Sequence, residues 1–359
     1  MSPRRALPLI LLGSALLSSG CGKFHRQGLE PARLRQAESA YTGHERRMSP
    51  ELEARILALD PAHVTAQDVR EVLAHAPAPR IINIHGGVAR VIPHMVSFSE
   101  FLIGLGYPAG SLTNPNDGTH SFSCYESSER IAGMIAWYYE KEGLRPMMVG
   151  HSQGGMQVVK VLDKLAGKST ASLQVWNPLT WKPEDRCEIV DPLTGQRRPV
   201  VGLQLPYATA VGAGGITRIL PNQWDMTFRL HTIPDSVEEF TGFCKGWDLT
   251  GGDFLGYGSV NHYKANGKAV VRNVWLPAAY RHGTTPETKH LLNDPRLVDW
   301  ISKYRPADEP VSRPKLDVKV DADSRNILWA ADVWYSIKKH WVLELQRRIR
   351  AQQSQGHGN

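Results

Sequence analysis

Short apolar runs and helically spaced apolar positions alternate through the middle of the chain. The apolar, β-branched run at 81–84 stops before a Gly-Gly pair, and a second run at 147–149 stops at Gly150, which predicts two buried strands. Apolar residues recur at helical spacing over 127–142, between these runs, and over 156–165, after them. Strand, helix, strand and helix in this order predict an α/β domain whose mostly parallel sheet has helices on both faces.

The sequence on either side of this unit predicts further elements and a division into domains. Upstream, residues 21–79 are predicted to be a tether followed by two short helices, with Ser49 and Thr65 as their N-caps. Residues 169–235 are rich in Pro, Gly and Trp and weakly periodic, which predicts cap loops inserted into a domain that spans 80–303. The other elements predicted for that domain are strands at 237–243 and 269–276 and a helix at 295–303.

Residues 304–359 are predicted to be a proline-rich linker followed by a C-terminal amphipathic helix. Apolar positions from Ile327 to Ile349 form a helical stripe with several aromatic residues, and the same segment is strongly basic. Such a helix either rests on anionic lipid or docks its stripe onto the core with its charges solvated. We expect docking, because an exposed stripe with several aromatic side chains would favour aggregation.

Composition narrows the class of protein further. The chain has 359 residues, 42% of them hydrophobic, so it can bury a substantial core and is not predicted to be disordered. Lys and Arg exceed Asp and Glu by 42 − 35 = 7, but the basic residues are scattered except near the C-terminus, which argues against nucleic-acid binding. Four cysteines show no zinc-binding spacing, and neither a metal, a cofactor nor a protein partner is predicted.

The first 20 residues have the features of a signal peptide. Residues 1–5 are basic, and residues 6–17 form an apolar run that is too short to span a bilayer comfortably. The string Leu-Ser-Ser-Gly before Cys21 resembles the bacterial lipobox, which implies that Cys21 becomes the acylated first residue of a mature chain with a charge of +5. Gly22 in place of an Asp implies a lipid anchor in the outer membrane of the bacterial cell envelope, facing the periplasm. A plain secretory signal is the alternative.

The string Gly150-His151-Ser152-Gln153-Gly154 carries the clearest chemical signal. It is a G-x-S-x-G motif that directly follows a predicted strand and directly precedes a predicted helix. In that context the serine lies on a sharp, strained turn, and small neighbours allow the strand and the helix to approach closely. The N-terminus of the helix points N–H groups at a developing oxyanion. We therefore predict that Ser152 is a nucleophile.

This motif, together with Asn83-Ile84-His85-Gly86-Gly87 upstream, resembles the α/β-hydrolase superfamily, especially its bacterial lipases and esterases. The resemblance covers residues 80–303 and implies the α/β-hydrolase fold. It also implies that the main-chain N–H groups of Gly87 and Gln153 form the oxyanion hole and that His85 is structural. The alternative for His85-Gly86-Gly87 is a simple turn at the end of a strand.

A serine nucleophile needs an imidazole base that is held by a carboxylate, and the family order is serine, acid, histidine. The base should follow the last core strand, which leaves His282 and His290. We expect His290, because its loop leads directly into the predicted helix at 295–303. For the acid we expect Asp248, in the loop after the strand at 237–243. The alternative acids are Asp253, Asp225 and Asp235.

These residues together predict a lipid-anchored serine hydrolase that cleaves carboxylic esters, including those of lipids. The same triad would also serve a thioesterase, an amidase or a polyester depolymerase. A different class, a non-catalytic envelope lipoprotein on a hydrolase scaffold, also stays open.

An oxidising periplasm permits a disulfide between Cys187 and Cys244, with free thiols as the alternative.

Overall fold

A parallel sheet forms the centre of the protein. The computed structural model describes residues 28–42, 48–168, 170–213, 229–253, 256, 261–307, 321 and 323–356. Among these residues the sheet has five strands, all parallel and in chain order across the sheet. They are β1 (Ile81–Ile84), β2 (Met147–His151), β3 (Leu205–Val211), β4 (Val237–Cys244) and β5 (Val270–Trp275). The predicted signal peptide and the acylation site Cys21 lie outside the described residues.

Helices cover both faces of the sheet, which confirms the predicted α/β class. Because side chains alternate along a strand, Ile81 of β1 packs into one core and Ile82 into the other. The second core contains α1 (Pro31–Thr42), α5 (Ser128–Glu142) and α6 (Gln153–Leu165). The first core contains α2 (Pro50–Leu57), α3 (Ala66–Glu71), α4 (Ile92–Gly104), α7 (Pro295–Lys303) and α8 (Ile327–Gly356).

The local signals for the helix ends act as the sequence predicts. The Ser49 side chain accepts a hydrogen bond from the main chain of Leu52 at the start of α2. Thr65 and Asp68 form a reciprocal capping box at the start of α3. These contacts involve residues at most three positions apart, so a short stretch of sequence is enough to predict them.

The predicted cap region contains a core strand as well as loops. Two short antiparallel pairs lie in it, one joining 176–177 to 182–183 and one joining 188–190 to 197–199. However, β3 also falls in this region, and it is buried along its whole length in the middle of the sheet. The proline and the threonine within Leu-Pro-Tyr-Ala-Thr-Ala-Val interrupt its apolar run, which explains why the strand was not predicted.

Helix α8 docks onto the core, as expected, but not only through its apolar stripe. Trp329, Trp334 and Trp341 are fully buried. Contrary to the expectation of solvated charges, Lys338 is also buried, and its Nζ donates to Val64 O at 2.7 Å and to Ser302 O at 3.1 Å. The helix therefore lies inside the protein, with buried polar anchors along its length.

Two further findings concern membrane-spanning helices and the cysteines. Among the residues that the structure describes, no helix has both the length and the apolar character needed to cross a bilayer. The suggested disulfide between Cys187 and Cys244 is not formed. Instead, Cys244 Sγ donates to Asn261 O at 2.9 Å.

Candidate active site

Ser152 occupies the turn between β2 and α6, directly after the strand and directly before the helix. Its φ of 54° and ψ of −123° lie where residues other than glycine are rarely found. The main-chain N–H of Ser152 donates to Val211 O, at the end of β3, at 2.8 Å. This strained turn, at the carboxyl end of β2, is the geometry that G-x-S-x-G predicts.

Glycines on both sides of Ser152 make the turn sterically possible. A Cβ on Gly150 would lie 2.5 Å from Gly154 O, and a Cβ on Gly154 would overlap Ile84 O of β1. Main-chain oxygens cannot move aside as a flexible side chain can. The close approach of strand and helix at this turn therefore requires glycine at both positions.

His282 joins Ser152 to Asp248 through two hydrogen bonds. Its Nε2 lies 2.9 Å from Ser152 Oγ, and its Nδ1 lies 2.8 Å from Asp248 Oδ2. Asp248 follows β4 and His282 follows β5, so both reach the serine from carboxyl ends of the same parallel sheet. Gly212, with a φ of 61°, leaves room for the imidazole, because a Cβ there would lie 2.8 Å from the ring.

The loop around Asp248 aims one carboxylate oxygen at the histidine. Gly251 N–H donates to Asp248 Oδ1 at 2.9 Å, which leaves Oδ2 for His282. Burial alone would raise the pKa of the Asp248 carboxyl, but hydrogen bonding to His282, the charge of His282 and the Gly251 N–H outweigh it and hold that pKa below its usual range. The carboxylate is therefore ionised at neutral pH and can stabilise an imidazolium.

The structure corrects the sequence-based placement of the histidine, because His282 and not His290 contacts Ser152. His290 lies in the 3₁₀ segment Lys289–Asn293, half-buried beside Arg325. Its Nε2 has no hydrogen-bond partner among the described residues. The expectation rested on the helix that follows His290, but that pattern marks only the start of α7. It carries no information about distance to the serine.

Asp248, the acid expected from the sequence, is the aspartate that meets the histidine. Asp253 has a different contact, accepting the Trp247 N–H at 2.9 Å and so closing the acid loop. Asp235 accepts main-chain N–H groups directly before β5, from Lys268 at 2.5 Å and Ala269 at 3.0 Å. The remaining alternative, Asp225, lies outside the described residues.

The loop after β1 lies against the serine turn. A Cβ on Gly86 would be 3.1 Å from Ser152 Cβ, and the α-carbon of Gly87 faces the Gln153 side chain. The Tyr125 hydroxyl donates to Gly87 O at 2.5 Å and holds this peptide in place. Gln153 is the first residue of α6, where main-chain N–H groups lack an acceptor within the helix and the helix dipole is positive. The loop that contains Gly87 and the first residue of α6, Gln153, thus both lie beside Ser152.

Sequence reasoning missed the part played by His151, which fills a variable position of the motif. The ring is buried, and its Nε2 lies 2.7 Å from His282 O. A carbonyl only accepts, so Nε2 must carry a proton. Burial, followed by the neighbouring His282, lowers the pKa of His151 to about 3, so the ring is neutral at neutral pH. The motif itself contains no signal for this contact, because the partner lies far along the chain.

No protein-family model matches the chain, and no curated protein matches it. Within the described ranges, no group of three or more His, Cys, Asp or Glu side chains is arranged to hold a metal ion. The class of this site must therefore be inferred from the geometry of the fold and of the side chains. The defining feature is a hydrogen-bonded Ser-His-Asp series at the carboxyl edge of a parallel sheet.

Proposed function

We propose that this protein is a serine hydrolase with the α/β-hydrolase fold that cleaves carboxylic esters through an acyl-enzyme. The observation that carries the proposal is the continuous series from Ser152 Oγ through His282 to Asp248, at 2.9 and 2.8 Å. The strained backbone of the serine supports it, since strain of this kind concentrates at functional sites. So does the chain order of serine, acid and histidine, which is that of the α/β-hydrolases.

The geometry supports the following reaction. Ser152 Oγ attacks the ester carbonyl while His282 Nε2 takes its proton, and Asp248 stabilises the imidazolium. The N–H groups of Gly87 and Gln153 hold the oxyanion of the tetrahedral intermediate. The intermediate then collapses: the bond to the alcohol breaks, and the alkoxide leaves with the proton from His282. His282 then takes a proton from water, and the resulting hydroxide attacks the acyl carbon. The bond from that carbon to Ser152 Oγ breaks, the carboxylic acid leaves, and His282 returns the proton to Ser152 Oγ.

Apolar side chains around the site support esters with apolar groups, including those of lipids. Val88, Tyr125, Trp247 and Leu249 are each more than half exposed. Val88 directly follows Gly87, and the Tyr125 hydroxyl donates to Gly87 O. Trp247 and Leu249 are the chain neighbours of Asp248. Large apolar side chains that are exposed next to residues of the site favour ligands with apolar groups. Thioesters, amides and polyesters are the alternative substrates, which a substrate panel would rank.

The proposal is tested by replacing the nucleophile. We expect Ser152→Ala to lower the turnover of a short-chain p-nitrophenyl ester by several orders of magnitude and to abolish labelling by a fluorophosphonate, while the protein stays folded. A matched control is Ser111→Ala, which removes a hydroxyl that donates to Ala78 O, before the amino end of β1. Folded wild-type protein that neither hydrolyses esters nor reacts with the probe would favour a non-catalytic lipoprotein.

We also propose that the chain is anchored in the bacterial envelope through acylated Cys21. The support is the sequence alone: a short apolar segment followed by a lipobox-like string. Mass spectrometry of envelope-extracted protein should then find a lipid-modified N-terminus at Cys21. Cys21→Ser should move the protein to the soluble periplasmic fraction, and an unmodified N-terminus elsewhere would contradict the assignment.

A further inference from the structure

Side chains from three distant elements bind the main-chain carbonyls of the loop that carries His282. Each of these carbonyls can only accept, so each partner must donate an N–H. The bonds run from His151 Nε2 to His282 O and from His94 Nδ1 to Gly283 O, both at 2.7 Å, and from Asn326 Nδ2 to Thr284 O and Glu287 O, at 2.7 and 3.0 Å. One residue of the set is the last of β2, one lies in α4 and one directly precedes α8.

Regular structure alone does not hold this loop. Only 282–284 and 289–293 form short 3₁₀ segments, and the loop belongs to neither the sheet nor an α-helix. Hydrogen bonds within it are local, such as Thr284 N to Arg281 O at 3.2 Å. The position of the loop relative to Ser152 must therefore come from contacts made by other elements.

Two of the donors are themselves fixed. His151 is buried with a neutral ring, so its single N–H proton is committed to His282 O. Asn326 is completely buried and has a φ of 69°, a conformation that asparagine tolerates better than most residues. Its one amide group reaches both carbonyls. His94 lies in the first turn of α4 and is partly exposed.

Helix α8 is also tied to the strand side of the same loop. The Tyr280 hydroxyl accepts the Leu328 N–H at 2.8 Å and the Trp329 N–H at 3.3 Å. Such groups in the first turn of a helix have no partner within the helix. The start of α8 and the loop that bears His282 therefore satisfy each other's main-chain groups, and the helix cannot shift without moving the loop.

We propose that His94, His151 and Asn326 are positioning residues that fix the imidazole of His282 against Ser152. The inference rests on the proposed hydrolase function and extends it: the C-terminal helix, outside the region that resembles hydrolases, is needed for catalysis as well as for folding. None of the three side chains hydrogen-bonds to the hydroxyl or carboxylate of the triad. Their effect is on the orientation of the base, to which reaction rates are steeply sensitive.

The test uses the full chain and the hydrolysis of a short-chain p-nitrophenyl ester. His94→Ala removes one donor from a partly exposed position. We expect kcat to fall by about 10- to 100-fold with KM nearly unchanged, because His94 bonds to the loop that carries His282 and acts on the orientation of the base. His94→Asn places an amide N–H near the position of Nδ1. It should restore kcat to within about 3-fold of the wild-type value, which a general loss of packing would not allow.

A second pair of variants separates positioning from stability. Asn326→Asp keeps the shape but replaces the donating amide by a carboxylate oxygen. Gln346→Glu is its matched control, because Gln346 is a buried amide on the same helix that donates to Ile56 O at 3.0 Å and Leu59 O at 2.9 Å, far from the loop. Both should lower the melting temperature, but only Asn326→Asp should lower kcat and speed hydrogen exchange at 281–290.

The outcomes are distinct. If kcat is unchanged in His94→Ala and Asn326→Asp while Ser152→Ala is inactive, the positioning role is overturned and the hydrolase function stands. Equal losses of kcat in Asn326→Asp and Gln346→Glu, with no rescue by His94→Asn, would also overturn it. A wild-type protein without esterase activity or probe labelling would overturn the proposed function itself.

Discussion

Replacing His282 and His290 one at a time asks which histidine serves the nucleophile. The two residues lie eight positions apart on the same stretch of chain, yet their surroundings differ. His282 bonds to both Ser152 Oγ and Asp248 Oδ2, whereas His290 is half-buried beside Arg325. Alanine at 282 therefore removes both bonds of the triad, and alanine at 290 removes an imidazole that meets none of its members.

The size of the effect follows from these contacts. Without His282, Ser152 has no base and Asp248 has nothing to orient, so the triad is lost as a unit. We expect kcat to fall by about 10⁴- to 10⁶-fold, which corresponds to about 5–8 kcal/mol of transition-state stabilisation. The N–H groups of the oxyanion hole would supply the activity that remains. His290→Ala should change kcat by less than about 3-fold and the free energy of unfolding by about 1 kcal/mol or less.

The assay is steady-state hydrolysis of a short-chain p-nitrophenyl ester, with fluorophosphonate labelling as a second readout of the nucleophile. Circular dichroism and thermal melts of both variants serve as the control for folding. If His290→Ala lost activity by several orders of magnitude while His282→Ala kept it, the assignment drawn from the geometry would be refuted.

Three further substitutions, each with its own measurement, test two buried charged groups and the serine turn. Burial lowers the pKa of Lys338 to about 7, so the unfolded chain holds this proton more tightly above that pH. From pH 7 to 9 the wild-type free energy of unfolding should therefore rise by about 2–3 kcal/mol more than that of Lys338→Met in urea melts, and equal slopes would contradict this. Gly154→Ala should prevent stable folding, judged by circular dichroism, whereas Gly110→Ala, whose Cβ meets no atom within 4 Å, should melt like the wild type. Asp332→Ala leaves the Arg272 guanidinium without its buried partner and should cost about 3–5 kcal/mol in the same urea assay, and a loss below about 1 kcal/mol would show that the pair is not structural.

The parts of the fold that sequence predicted well are those specified by neighbouring residues. The strands β1 and β2, the helix caps at Ser49 and Thr65, and the glycine-bounded turn at Ser152 each depend on residues a few positions apart. A pattern in one short string is therefore sufficient to find them. Strand β3 was missed because its burial is imposed by the strands on both sides, while its own sequence has a proline and a polar residue.

Helix α8 also has one feature that local sequence predicts and one that it does not. Its apolar stripe correctly predicted docking, because periodicity is local. The burial of Lys338 was not predictable, because its two acceptors, Val64 O and Ser302 O, belong to segments far away in the chain. Lysine side chains on a helix normally hydrogen-bond to water. Only the packed structure shows that main-chain carbonyls replace water as the partners of Lys338.

The three residues of the Ser152–His282–Asp248 series differ in how far along the chain the residues that position them lie. Ser152 is set by glycines two residues away on each side, and Asp248 by an N–H three residues further on. His282 is held by side chains 131, 189 and 42 positions away from the carbonyls they bind. A motif search finds Ser152 for this reason, but it leaves the aspartate ambiguous and selects His290 instead of the histidine that contacts Ser152. A side chain that is oriented by contacts with distant parts of the fold therefore cannot be located from the residues next to it in the sequence.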